Sequence, residues 1–173
     1  NRKEIWRNIE TVTLFITIMI TFCITAVGLT QSGAYPKALI LFRKGFYQLI
    51  SAHTGTGYQT IYPAQFINEW NNLALTGVIC AMALGGAVCS TTGAIKMLRV
   101  GIIFKALLED IKRIMLPERA IVVQKFRHIK EIFLEDKQAR VALLITLCYL
   151  ALYGLGAIIG MFFGYSFLES LFE

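Results

Sequence analysis

Apolar positions along this chain come in long blocks. Thr11–Gln31, TVTLFITIMITFCITAVGLTQ, carries no charge, and neither does Val141–Tyr165, VALLITLCYLALYGLGAIIGMFFGY. A helix needs about 20 such residues to cross a hydrocarbon core of about 30 Å, so each block predicts a spanning helix. The first is too long for a signal peptide and lacks a small-residue cleavage site. A third uncharged block, Asn72–Ile95, is interrupted by a glycine- and threonine-rich stretch at Gly85–Gly93. Irregular backbone at membrane depth survives only inside protein or beside a watery cavity. The block therefore predicts a spanning helix broken in its middle, with the break facing an aqueous path.

Between the first and third blocks lies Ala38–Ala52, ALILFRKGFYQLISA. It favours a helix, but about 15 residues reach only roughly 22 Å. Such a segment enters the membrane and stops. It runs into ISAHTGTGYQTIYP, Ile50–Pro63, where His53, Thr54, Gly55, Thr56, Gly57 and Tyr58 interrupt the apolar pattern. The order is then spanning helix, re-entrant helix, Gly-Thr loop, broken helix. It begins again with Val141–Tyr165, after which SFLESLFE (Ser166–Glu173) resembles the opening of the first short helix. A longer repeat protein is the expectation. Three segments follow: 1–100, a pore repeat; 101–140, a basic amphipathic segment; and 141–173, the first helix and the start of the short helix of the next repeat.

Composition agrees with the blocks. Hydrophobic residues make up 56% of the chain and charged residues 16%, against about 25% charged in soluble domains. Basic residues concentrate between Lys96 and Arg140 and at the start, in Arg2, Lys3 and Arg7. The positive-inside tendency puts both stretches in the cytoplasm, so the net charge of +6 reads as topology and not as a nucleic-acid surface. Cys23, Cys80, Cys89 and Cys148 all lie in apolar blocks, with no CxxC pair, and are expected to be small apolar fillers. No nucleophile has a base partner at membrane depth. An intramembrane enzyme built on Ser90 or Thr91 would need one, so no catalytic residue is assigned.

Three roles compete for the Gly-Thr stretch: a surface turn, a phosphate cradle and an ion filter. A phosphate loop needs Lys and Ser or Thr directly after its second glycine, and GTGYQT has no Lys. A filter replaces an ion's hydration shell with backbone carbonyls. Carbonyls pointing one way demand unusual backbone, which Gly supplies at φ > 0. Gly57 is the expected essential position, with hydroxyls from Thr54 and Thr56 adding contacts and Tyr58 wedging the loop against neighbouring helices. The re-entrant helix would aim its negative carboxyl end at the cation. For the broken block, close helix packing through Gly and Ser is the alternative to a gate. His53 is expected to pack or hydrogen-bond behind the loop, and His128 to be solvated.

SAHTGTGYQTI, followed by GGAVCSTTGAIKMLRV, resembles the Trk/Ktr/HKT superfamily of potassium and sodium transporters across almost the whole chain. The resemblance implies an all-α membrane protein with four repeats of helix, pore helix, filter and helix around one pore, this chain being the third repeat and the start of the fourth. It implies a filter at Thr54, Gly55, Thr56, Gly57 and Tyr58, holding K+ through carbonyls. It implies a gating loop over Gly85, Gly86, Ala87, Val88, Cys89, Ser90, Thr91, Thr92 and Gly93, with Lys96 and Arg99 adjacent. Gly55 stands where Thr is common, Cys89 where Gly is usual, and Ala94 where a second Gly is frequent. Expected partners are membrane lipid, a second full-length subunit in a homodimer, and cytosolic nucleotide-binding regulatory subunits like TrkA or KtrA. Expected too is a multi-pass place in the plasma membrane with 96–140 cytoplasmic. The transported ion is K+, possibly Na+, with no covalently bound cofactor. A sodium-permeable relative and a non-conducting helical scaffold remain alternatives.

Overall fold

The computed structural model describes residues 6–115, 125–128, 130–133 and 136–172. Helix α1, Ile9–Ser32, opens on Asn8, whose side chain accepts the Glu10 amide at 3.0 Å. Helix α2 is Ala38–Thr54 and α3 is the short Pro63–Glu69, with proline in its first turn, where no N–H is needed. Helix α4, Asn72–Ala83, is followed by an irregular stretch and then by α5, Met97–Met115. Strands β1, Lys125–His128, and β2, Lys130–Phe133, pair antiparallel. Helix α6, Asp136–Phe162, precedes the short α7, Phe167–Phe172.

Among the described residues the regular structure is thus helical apart from one small ribbon, which the reading of 101–140 did not foresee. Helices α1 and α6 are long and apolar enough to cross a membrane. The predicted break in the third block is present but wider: helix ends at Ala83 and resumes only at Met97. The helix of the third block starts at Asn72, capped by Asn71, directly after α3 ends at Glu69. Arg2, Lys3 and Arg119, and the side chain of His128, lie outside the described residues.

α1 packs closely along α4. A Cβ on Gly28 would overlap the Ala74 backbone, and one on Gly77 would overlap the Thr25 hydroxyl, so small residues set the helix separation. Thr17, Thr21 and Thr25 of α1 recur every fourth residue and are all buried. Each hydroxyl donates to the carbonyl four residues back, at 3.0, 2.7 and 2.9 Å, which makes a polar side chain acceptable in an apolar setting. The main core joins Leu29, Leu41, Phe66, Trp70, Leu75 and Val78, and the Phe172 ring of α7 packs tilted against Phe66 with centroids 5.0 Å apart. α6 is different. Only Ala142 and Ala157 are buried along it, while Leu144, Leu147, Leu152, Ile159 and Phe162 point outward. A helix apolar on every side requires lipid or further protein around it.

Candidate functional site

The short helix does what its length requires. α2 stops at Thr54, two residues later than predicted, in a left-handed turn at Gly55 (φ +66°). The Gly55 amide donates to the Ala52 carbonyl at 3.1 Å and the Thr56 amide to the Ser51 carbonyl at 3.0 Å. This pair of bonds is a Schellman closure, which satisfies the last carbonyls of a helix and needs a residue with φ > 0. Gly57 adopts φ +78° two residues on. Sequence reasoning singled out Gly57; the structure requires glycine-like backbone at Gly55 as well.

From Thr54 to Thr60 the chain is non-helical beyond the cap and exposed. Ser51, inside α2, donates to the Tyr58 carbonyl at 2.6 Å and turns that oxygen back towards the helix. The Thr54 carbonyl accepts from Thr92 at 2.8 Å. Among the described residues no group donates to the carbonyls of Gly55, Thr56 or Gly57. The hydroxyls are less free than expected: Thr54 donates to the Ile50 carbonyl at 2.8 Å, and the Thr54 and Thr56 oxygens lie 2.6 Å apart. The Tyr58 ring is 69% exposed, so within this chain it does not wedge the loop.

Behind the turn, His53 is fully buried, with Nε2 3.1 Å from the Thr17 hydroxyl. Thr17 also lies 3.0 Å from α1 carbonyls, and the direction of its bond to His53 follows the histidine tautomer. This is the packing and hydrogen-bonding role expected of it.

The break in the third block is a closed loop. Leu84 and Ile95 bridge in parallel at its neck, with Ile95 donating to Ala83 at 3.0 Å and Gly85 to Ile95 at 3.2 Å. Backbone polar groups at the neck thus find partners outside any helix. A Cβ on Gly85 would overlap the His53 carbonyl oxygen, and one on Gly86 would stand 2.7 Å from the Thr92 Cβ. The loop therefore rests directly on the carboxyl end of α2. Ala87, Val88, Cys89, Thr91 and Gly93 are exposed, and the Val88 amide donates to Glu10 of α1 at 2.5 Å.

Lys96 lies beside the loop. It stands just before α5, not on it, and its carbonyl accepts the Arg99 amide at 2.9 Å. Its Nζ turns back over the loop and donates to the Ser90 carbonyl at 2.7 Å, the Thr92 carbonyl at 2.7 Å and the Ser90 hydroxyl at 3.1 Å. Charge-assisted bonds of this kind are roughly twice as strong as neutral ones. Arg99 lies half-buried on α5 and away from these contacts. A cavity of about 270 Å³, lined by Gly55, Thr92, Gly93 and Tyr153 among others, opens between turn and loop.

The site that results brings together Thr54–Tyr58 and Ser90–Lys96. Sequence reasoning missed Ser51, the direct bond from Thr92 to Thr54, and the threonine stripe of α1. The stripe's four-residue spacing was a readable signal; the other two had none.

Known proteins share much of this sequence. The family described as "TrkH: Cation transport protein" matches residues 5–173. An uncharacterized cation transporter of Methanocaldococcus jannaschii is 32% identical over 127 residues, which is 73% of this chain and 25% of that protein. The Trk system potassium uptake protein TrkH of Escherichia coli K12 is 28% identical over 116 residues, 66% of this chain and 23% of that protein. The chain spans about a quarter of the length of the curated relatives it matches.

Proposed function

Since the chain belongs to the TrkH family of cation transport proteins, which are transporters and not enzymes, we propose that it is the third pore repeat, with the start of the fourth, of a potassium uptake subunit. The observation that carries this reading is the row of uncommitted carbonyls at Gly55, Thr56 and Gly57, set at the carboxyl end of a helix too short to cross. Backbone carbonyls suit a dehydrated monovalent cation, and the helix end adds a partial negative charge. Thr54 and Tyr58 flank the row, and the Tyr58 carbonyl, held by Ser51, braces it from behind.

In this reading α1 and α6 span the membrane, α2 re-enters it, and residues 96–140 face the cytoplasm. Gly85–Gly93 hangs beneath the filter as a gate. The full-length subunit would pair as a homodimer and rest on cytosolic nucleotide-binding regulatory subunits, with the basic stretch as one docking surface. Passage of sodium is the second possibility, because the filter is completed by three repeats outside this chain.

Deleting Ala87–Thr92 from the full-length transporter tests the gate. Reconstituted in vesicles, the deletion is expected to raise the maximal rate of potassium uptake. Unchanged flux in a well-folded deletion would reduce the loop to a packing feature.

A further inference from the structure

Thr92 belongs to the gating loop, yet its hydroxyl donates to a carbonyl 38 residues away in sequence, that of Thr54, at 2.8 Å. This carbonyl is the last of α2 and adjoins the uncommitted row at Gly55–Gly57. Thr92 is held there from several sides. Lys96 Nζ grips its carbonyl at 2.7 Å, the Ser90 hydroxyl lies 3.3 Å from its own, and a Cβ on Gly55 would stand 3.0 Å from its methyl group.

We propose that Thr92 is a positioning residue that couples the loop to the innermost cation site, by competing with the transported ion for the Thr54 carbonyl. The inference rests on the filter reading above. A carbonyl oxygen has two lone pairs, but a hydroxyl proton and a cation on the same oxygen repel one another and divide its electron density. A seated loop and an occupied innermost site therefore disfavour each other. The coupling is reciprocal: the seated loop weakens ion binding by the same factor by which the bound ion loosens the loop. The ion promotes the opening of its own path, and the neighbouring cavity gives Thr92 room to withdraw.

The test is potassium uptake by the full-length protein in proteoliposomes, read as half-saturating concentration and maximal rate. Thr92→Val keeps the branched shape and removes the hydroxyl. It is expected to lower the half-saturating potassium concentration about three- to tenfold, the scale of one hydrogen bond. Thr92→Ser restores the donor and should return the value towards that of the native protein. Lys96→Met frees the loop without touching Thr54. In the native background it should lower half-saturation too, because more of the protein is binding-competent. Beside Thr92→Val it should change only the maximal rate. An unchanged half-saturation in Thr92→Val, or an equal shift from Lys96→Met in both backgrounds, overturns the coupling. Should Thr92→Val not reach the membrane, Thr92→Ala removes the same hydroxyl with less bulk and is read the same way. Gly57→Ser in the same vesicles separates two failures. If it leaves ion preference unchanged, the filter reading falls and the coupling with it. If it shifts preference while Thr92→Val leaves half-saturation alone, the coupling alone falls.

Discussion

On the proposed filter reading, replacing Gly57 by Ser in the full-length transporter is expected to cut preference for potassium over sodium by about tenfold while leaving the amount of folded protein near normal. The two halves of this expectation have different causes. Gly57 sits at φ +78°, and nothing lies within 4 Å of where a Cβ would stand. Steric overlap with neighbours is therefore absent and the fold is spared. The backbone is another matter: a left-handed conformation costs a residue with a Cβ roughly 1–2 kcal/mol. Exposed and lightly held, the turn can relieve that strain by rotating its peptide planes, and these planes carry the carbonyls of Thr56 and Gly57. A change in carbonyl direction alters the field on which discrimination rests, and about 1.4 kcal/mol corresponds to a factor of ten. Competitive uptake of potassium and sodium into vesicles measures the effect. An unaltered ion preference would make Gly57 an ordinary turn residue.

Gly85→Val is expected to behave in the opposite way, removing most of the folded protein before selectivity can be read. Here the φ is not the constraint. A Cβ at Gly85 would overlap the carbonyl oxygen of His53, with the His53 carbonyl carbon at 3.0 Å. Both belong to backbone that cannot rotate away, since His53 is buried in α2 and bonded to Thr17. Either the loop lifts off the helix end or α2 shifts, at a cost of about 3 kcal/mol or more for overpacking a closed contact. Gly93→Ala is the matched control, because nothing stands within 4 Å of its missing Cβ and its backbone is not left-handed. Yield in detergent and thermal denaturation of the two variants decide the matter. Near-native stability of Gly85→Val would mean that the loop does not rest on the end of α2.

Much of this was legible in the residues. The uncharged blocks foretold α1 and α6 to within a few residues, because crossing length is a sum over local hydropathy and needs no knowledge of neighbours. The shortness of Ala38–Ala52 and the glycines after it foretold a helix that stops and a turn that follows, since helix length and left-handed backbone are also local properties. The interruption at Gly85–Gly93 foretold a break for the same reason. Local signals failed where two segments compete for one group. Nothing in the run from Gly85 to Lys96 says that Thr92 reaches Thr54, that Gly85 is small for the sake of His53, or that the Lys96 ammonium folds back over Ser90 instead of joining α5. Nor does the Gly-Thr stretch reveal that Ser51 takes the Tyr58 carbonyl out of the row. A carbonyl's partner depends on which other chain segment arrives beside it. That arrival is set by the close approach of α1 to α4 and by the rest of the packing. By itself the sequence determined that the chain holds a stopped helix, a glycine turn and a broken span. Only the tertiary structure decided which carbonyls are left uncommitted, because a carbonyl is left uncommitted only if no donor from a distant segment is delivered within hydrogen-bonding distance of it.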